Sequence, residues 1–131
     1  MGADMNQTLK AITEAEAYPG PSIIICYAPC EMHGLKGGMT NCQIEMKRAV
    51  EAGYWQLFRY NPANKDTDKA PLTIDSKEPT ANYIDFITSE TRYSRLIKEF
   101  PGRAEELFAE AEKQAKAKYE RLTKLGELYS K

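Results

Sequence analysis

Apolar positions along the chain change period several times, and each change predicts an element. In residues 6–17, Leu9, Ile12 and Ala15 or Glu16 recur at helical spacing, with Asp4 or Asn6 placed to cap. Pro19-Gly20-Pro21 ends that helix. Residues 22–27 (SIIICY) are apolar in succession rather than alternately, the pattern of a strand buried on both faces. A second helix is expected from Thr40 or Asn41. Ile44, the stem of Lys47, Val50 and Tyr54 would line one of its faces, with Gly53 near its C-cap. Residues 54–60 (YWQLFRY) and 72–75 (LTID) read as two short strands around a polar loop, 61–71. A short helix follows over 81–87, and another, capped by Ser89, reaches Glu99. Pro101 suits the first turn of a final helix. Along it Leu107, Ala111, Ala115, Tyr119, Leu122, Leu125 and Tyr129 form one apolar stripe, opposite a face rich in Glu, Lys and Arg.

The implied fold is an α/β front half followed by a helical tail that ends in a long amphipathic helix. One strong strand and two weak ones make a poor sheet, since sheets usually hold about four to six strands. The chain is therefore expected to be part of a larger open sheet, or to complete one by oligomerising.

Composition narrows the function. A length of 131 residues suits one domain. The 42% hydrophobic and 28% charged content is ordinary for a globular protein, and the net charge of -1 gives no basic stripe for nucleic acid. No apolar run approaches the roughly 20 residues of a membrane span, and the first residues lack a signal-peptide pattern. Three cysteines without a secretion signal read as reduced thiols or ligands of a cytoplasmic protein.

The candidate chemistry lies in residues 26–42. Cys30 follows Pro29 at the expected end of the first strand, where open α/β sheets carry their sites. A free cysteine is ordinarily a small buried hydrophobe. Against that, Pro29 stiffens the approach, and Gly34, Gly37 and Gly38 let backbone come close. Cys26, Cys30, His33 and Cys42 could form a zinc or thiol-redox module, but their spacing is irregular and Cys26 should be packed in the strand. A [4Fe–4S] cluster needs four thiolates, more than the chain has. Lys36-Gly37-Gly38 resembles an anion cradle without full phosphate-loop spacing, and a tight turn is the simpler reading. His33 could pair with Cys30 as base and nucleophile, but no third group orients it, and a hydrogen bond within the loop is the simpler role. The 107–129 stripe and the group Trp55, Phe58 and Tyr60 read as core or interface.

Several unusual short motifs then occur in order: Ala28-Pro29-Cys30, His33-Gly34, Gly37-Gly38-Met39, Ala52-Gly53-Tyr54-Trp55, Arg59-Tyr60-Asn61-Pro62, Leu72-Thr73-Ile74-Asp75-Ser76-Lys77-Glu78-Pro79 and Arg92-Tyr93-Ser94. Together they resemble the C-terminal region of pyruvate:ferredoxin (flavodoxin) oxidoreductase, over nearly the whole chain. The resemblance implies that residues 1–79 close the thiamine-pyrophosphate-binding domain and that 80–131 form a helical segment packed on it. It implies an enzyme that oxidatively decarboxylates pyruvate onto coenzyme A, with thiamine pyrophosphate and Mg2+. Its electrons would pass through three [4Fe–4S] clusters to ferredoxin or flavodoxin, and the whole enzyme would be a homodimer. By the same resemblance Cys30 is the remote fourth ligand of the cluster nearest the thiamine, the other three ligands lying outside this chain. No catalytic residue is carried over. Tyr27, His33, Gly34, Gly38 and Met39 are expected around the cluster ligand. The family's magnesium–diphosphate motif and ferredoxin-like cluster motifs are absent, and Cys42 stands where the family usually has serine. Met1 is then expected to be an internal methionine or an artificial start, and the chain alone to be inactive. The alternative is a freestanding small binding or assembly protein.

Overall fold

The computed structural model describes residues 2–130; Met1, and the expectation attached to it, lie outside them. Helix α1 (Met5–Ala17) starts where the Asp4 carboxylate accepts a hydrogen bond from the Gln7 N–H at 2.9 Å. It buries no residue, and Met5, Leu9 and Ile12 all face outward. Polar contacts hold it instead: the Gln7 amide donates to Asp75 at 3.1 Å, and Glu14 pairs with Arg59.

Residues 22–27 do not form the expected buried strand. They adopt no regular element, Ile23 is 86% exposed, and Cys26, expected to be packed, is exposed. A strand exists only through a neighbour's N–H and C=O groups, and nothing among the described residues offers this segment a ladder. The only ladder there joins β1 (Phe58–Tyr60) to β2 (Leu72–Ile74), antiparallel, with Arg59 opposite Thr73. The open α/β sheet is thus replaced by a two-stranded ribbon in a mixed helix–strand fold.

Helix α2 (Cys42–Glu51) follows a short 3-10 turn, Met39–Asn41. Its inward face carries Glu45 and Ala49, and the turn beyond it Ala52; Ile44 is exposed. The face lies one residue, about 100° of helix, from the one expected. The ends of α3 (Tyr83–Ser89) and α4 (Thr91–Glu99) also differ slightly from expectation. Asn82 caps α3 by accepting from the Asp85 N–H at 2.9 Å, and Glu90, not Ser89, joins the two helices. Helix α5 (Pro101–Tyr129) begins at Pro101 as expected.

The core is one cluster: Ala49, Ala52, Tyr83, Phe86, Ile87, Ala104 and Phe108. Tyr27, Tyr54, Trp55, Tyr93 and Leu96 pack around it, and the Tyr54 and Phe86 rings lie 5.0 Å apart. Of the α5 stripe, Ala111 and Ala115 reach this core, whereas Leu107 and Leu125 stay about half exposed. Small alanines at the crossing let α5 approach closely, so its buried line runs through Ala104 and Phe108.

Candidate functional site

Cys30 sits in a loop pinned at both ends. On the entry side the Tyr27 ring docks beside Tyr54 at 5.5 Å and Trp55 at 6.0 Å, and its hydroxyl donates to Glu90 Oε1. Burial, then the bond to Glu90, holds the Tyr27 phenol proton on well above the usual tyrosine range. Pro29 is buried next to Cys30. The loop turns at once: the Gly34 N–H donates to the Cys30 carbonyl at 2.9 Å, with Gly34 at φ +73°, a conformation glycine adopts without strain. On the exit side Leu35 is buried and pairs with Glu90 in an isolated antiparallel bridge. Its bonds run from Lys36 N–H to the Ser89 carbonyl at 2.8 Å and from Thr91 N–H to the Gly34 carbonyl at 3.3 Å.

The tight turn folds donors around the sulfur. His33 Nδ1 lies 2.9 Å from Cys30 Sγ. That contact lowers the thiol pKa most, and the backbone N–H groups of His33 and Met32 add to it. Cys30 is partly exposed and His33 exposed, so the sulfur is presented outward. Such a site favours thiolate, the form that binds metal or acts as a nucleophile.

The other expected residues separate into two groups. Tyr27, His33 and Gly34 converge on the loop, as the contacts above describe. Gly38, at φ +92°, and Met39 instead lead into the 3-10 turn before α2, and the Gly38 N–H bonds back to the Leu35 carbonyl at 2.9 Å. Cys42 lies further on, at the first residue of α2. No group of three or more His, Cys, Asp or Glu that could hold a metal occurs among the described residues, so the zinc arrangement of Cys26, Cys30, His33 and Cys42 is not formed. A single partly exposed thiol beside one imidazole could supply one ligand of an iron–sulfur cluster, not a complete ligand set.

Sequence reasoning missed the buried polar layer beneath the loop. Glu45 is 3% exposed and Glu90 is 1% exposed. Glu45 accepts from the Ser89 hydroxyl and pairs with Arg48 at 3.0 Å. Arg92 Nε lies 2.5 Å from Glu90 Oε2, an ion pair without hydrogen-bond alignment, and Arg92 Nη2 donates to the Tyr54 hydroxyl at 3.2 Å. The one available signal was the acid in Thr88-Ser89-Glu90-Thr91-Arg92, set at the junction of two helices.

No family model matches the chain. It is 54% identical over 127 residues, 97% of its length, to a pyruvate:ferredoxin oxidoreductase of Moorella thermoacetica. It is 50% identical over 126 residues to a pyruvate-flavodoxin oxidoreductase of Klebsiella pneumoniae. A mitochondrial pyruvate dehydrogenase [NADP(+)] of Euglena gracilis matches at 36% over 95% of the chain. These similarities place the chain among oxidoreductases. It belongs to the pyruvate:ferredoxin (flavodoxin) oxidoreductase family as a fragment, spanning only 11% of the first two relatives' length.

Proposed function

We propose that this chain is the C-terminal part of an enzyme that oxidatively decarboxylates pyruvate onto coenzyme A. In this reading Cys30 supplies one thiolate to a [4Fe–4S] cluster whose remaining ligands lie outside residues 1–131. The observation that carries it is the partly exposed Cys30 sulfur with His33 Nδ1 2.9 Å away. When bound, the cluster supplies one-electron transfer. The residues of this chain hold the sulfur, and N–H donors near it favour the thiolate and tune the cluster's potential.

Residues 1–79 would close the thiamine-pyrophosphate domain, with 80–131 packed against it. Thiamine pyrophosphate with Mg2+, coenzyme A and a ferredoxin or flavodoxin acceptor would be bound mainly by other parts of a homodimeric enzyme. No helix among the described residues is long and apolar enough to cross a membrane. The cytoplasm is the compartment proposed for the whole enzyme. The exposed Ile23-Ile24-Ile25 run is the surface expected to meet the rest of the polypeptide.

Replacing Cys30 by Ala in the full-length enzyme tests the ligand role. The expected result is loss or alteration of the EPR signal of the thiamine-proximal cluster, with loss of pyruvate-dependent electron transfer. An unchanged signal with normal activity would overturn it.

A further inference from the structure

Glu90 is the C-cap of α3 and the N-cap of α4, yet its side chain caps neither helix. Instead it turns inward and is 1% exposed. Its carboxylate accepts from Tyr27, three residues before Cys30, and the residue faces Leu35, five residues after Cys30, in a bridge whose hydrogen bonds are made by its neighbours Ser89 and Thr91. The α3–α4 junction therefore holds both flanks of the loop, the entry through the Glu90 side chain and the exit through the backbone of Ser89 and Thr91. Arg92 neutralises its charge from the next turn and ties it on to Tyr54, whose hydroxyl lies 2.9 Å from that of Tyr93. As a source of stability such a buried ion pair is weak, because desolvation offsets most of its attraction. What it supplies is a fixed position: a charged oxygen holds a phenol hydroxyl at one distance and one angle, which an apolar contact does not.

We propose that Glu90, backed by Arg92, is the positioning residue of the Cys30 loop: its carboxylate clamps the entry through Tyr27 at the point where the backbone of Ser89 and Thr91 holds the exit around Leu35. The inference rests on Cys30 being a cluster ligand and deepens that reading. Residues outside a metal's ligand set that fix its ligands typically change metal retention about 10–100-fold when lost. The Tyr27 hydroxyl bond is the part of the clamp that a substitution can remove cleanly. Phenylalanine at that position keeps the ring contacts to Tyr54, Trp55 and Phe86.

The test uses the full-length oxidoreductase carrying Tyr27→Phe, Glu90→Gln, both together, or Cys30→Ser as the reference. Three quantities are read: melting temperature, the midpoint potential of the cluster altered by Cys30→Ser, and the rate at which that cluster releases iron to a ferrous chelator. With folding and initial iron content retained, both single variants are expected to release iron roughly tenfold faster or more. Each should also shift that midpoint, and the double variant should go no further than the stronger single one, because Tyr27→Phe removes the hydroxyl bond that Glu90→Gln weakens by replacing a charged acceptor with a neutral one. Parental release rates and potentials in folded variants would overturn the proposal. If Glu90→Gln does not fold, Tyr27→Phe decides alone. If Cys30→Ser leaves every cluster signal unchanged, it is the ligand role that has failed. The clamp is then judged by iodoacetamide alkylation of Cys30: faster reaction in Tyr27→Phe supports it, and an unchanged rate overturns it.

Discussion

Arg59 of β1 grips Asp75, one residue past β2, with a two-pronged fork: Nε to Oδ2 and Nη2 to Oδ1, both at 2.8 Å. Its third nitrogen meets Glu14 of α1, and the Gln7 amide reaches the same Asp75. Since α1 buries no residue, the bonds that Glu14 and Gln7 make to the two members of this fork are what tie it to the ribbon.

Lysine cannot reproduce the fork, so Arg59→Lys is expected to destabilise the chain by about 1–3 kcal/mol. The loss should fall unevenly. Amide exchange in α1 should rise more than in α3, whose residues sit in the core.

The same fork sets an acid limb. Burial alone would raise the Asp75 pKa, but the Arg59 fork and the Gln7 amide outweigh it and leave it lowered. A carboxyl depressed on folding stabilises the protein above its unfolded value of about 3.9 and loses that contribution as pH falls through the lower folded value. Melting temperature should therefore drop below about pH 4. In Asp75→Asn the starting value should be lower and the drop shallower. An equally steep drop would show that other carboxyls govern the limb.

Two glycines separate backbone strain from collision. Gly34 and Gly53 both have positive φ, +73° and +75°. A Cβ on Gly34 would meet only the Thr91 hydroxyl, at 4.0 Å, whereas on Gly53 it would lie 2.8 Å from Pro79 Cγ. Gly34→Ala should cost about 1–2 kcal/mol from strain alone. Gly53→Ala should cost more, because Pro79 must move as well. Equal losses in denaturant unfolding would discount the Pro79 contact.

How much of this was legible in sequence varies with where the partner lies. Asp4, one of two expected caps, the Pro101 start and the 72–75 strand follow from residues close in sequence and stand close to where the pattern put them, whereas the strand expected over 54–60 forms only at 58–60. The α2 face was misplaced because Glu45 reads as a solvent residue until Ser89, far along the chain, supplies its partner. Glu90 was missed for the same reason, since its partner Tyr27 lies 63 residues away. The 22–27 segment shows the converse. Only Tyr27 at its end finds a packing partner among the described residues, while Ile23, Ile24 and Ile25 remain in solvent.

That mismatch gives the last prediction. Ile25 is 74% exposed, so Ile25→Ser in the 131-residue chain should change stability by no more than about 0.5 kcal/mol. Phe86→Ala in the same chain should cost about 3–5 kcal/mol, because Phe86 is 1% exposed at the centre of the core. In the full-length oxidoreductase the two should converge. If the apolar run is covered there, losing a buried isoleucine costs kilocalories rather than tenths. A neutral Ile25→Ser in both settings would mean that the run stays in solvent in the whole enzyme. Its apolar pattern would then need an explanation other than burial against the rest of the polypeptide.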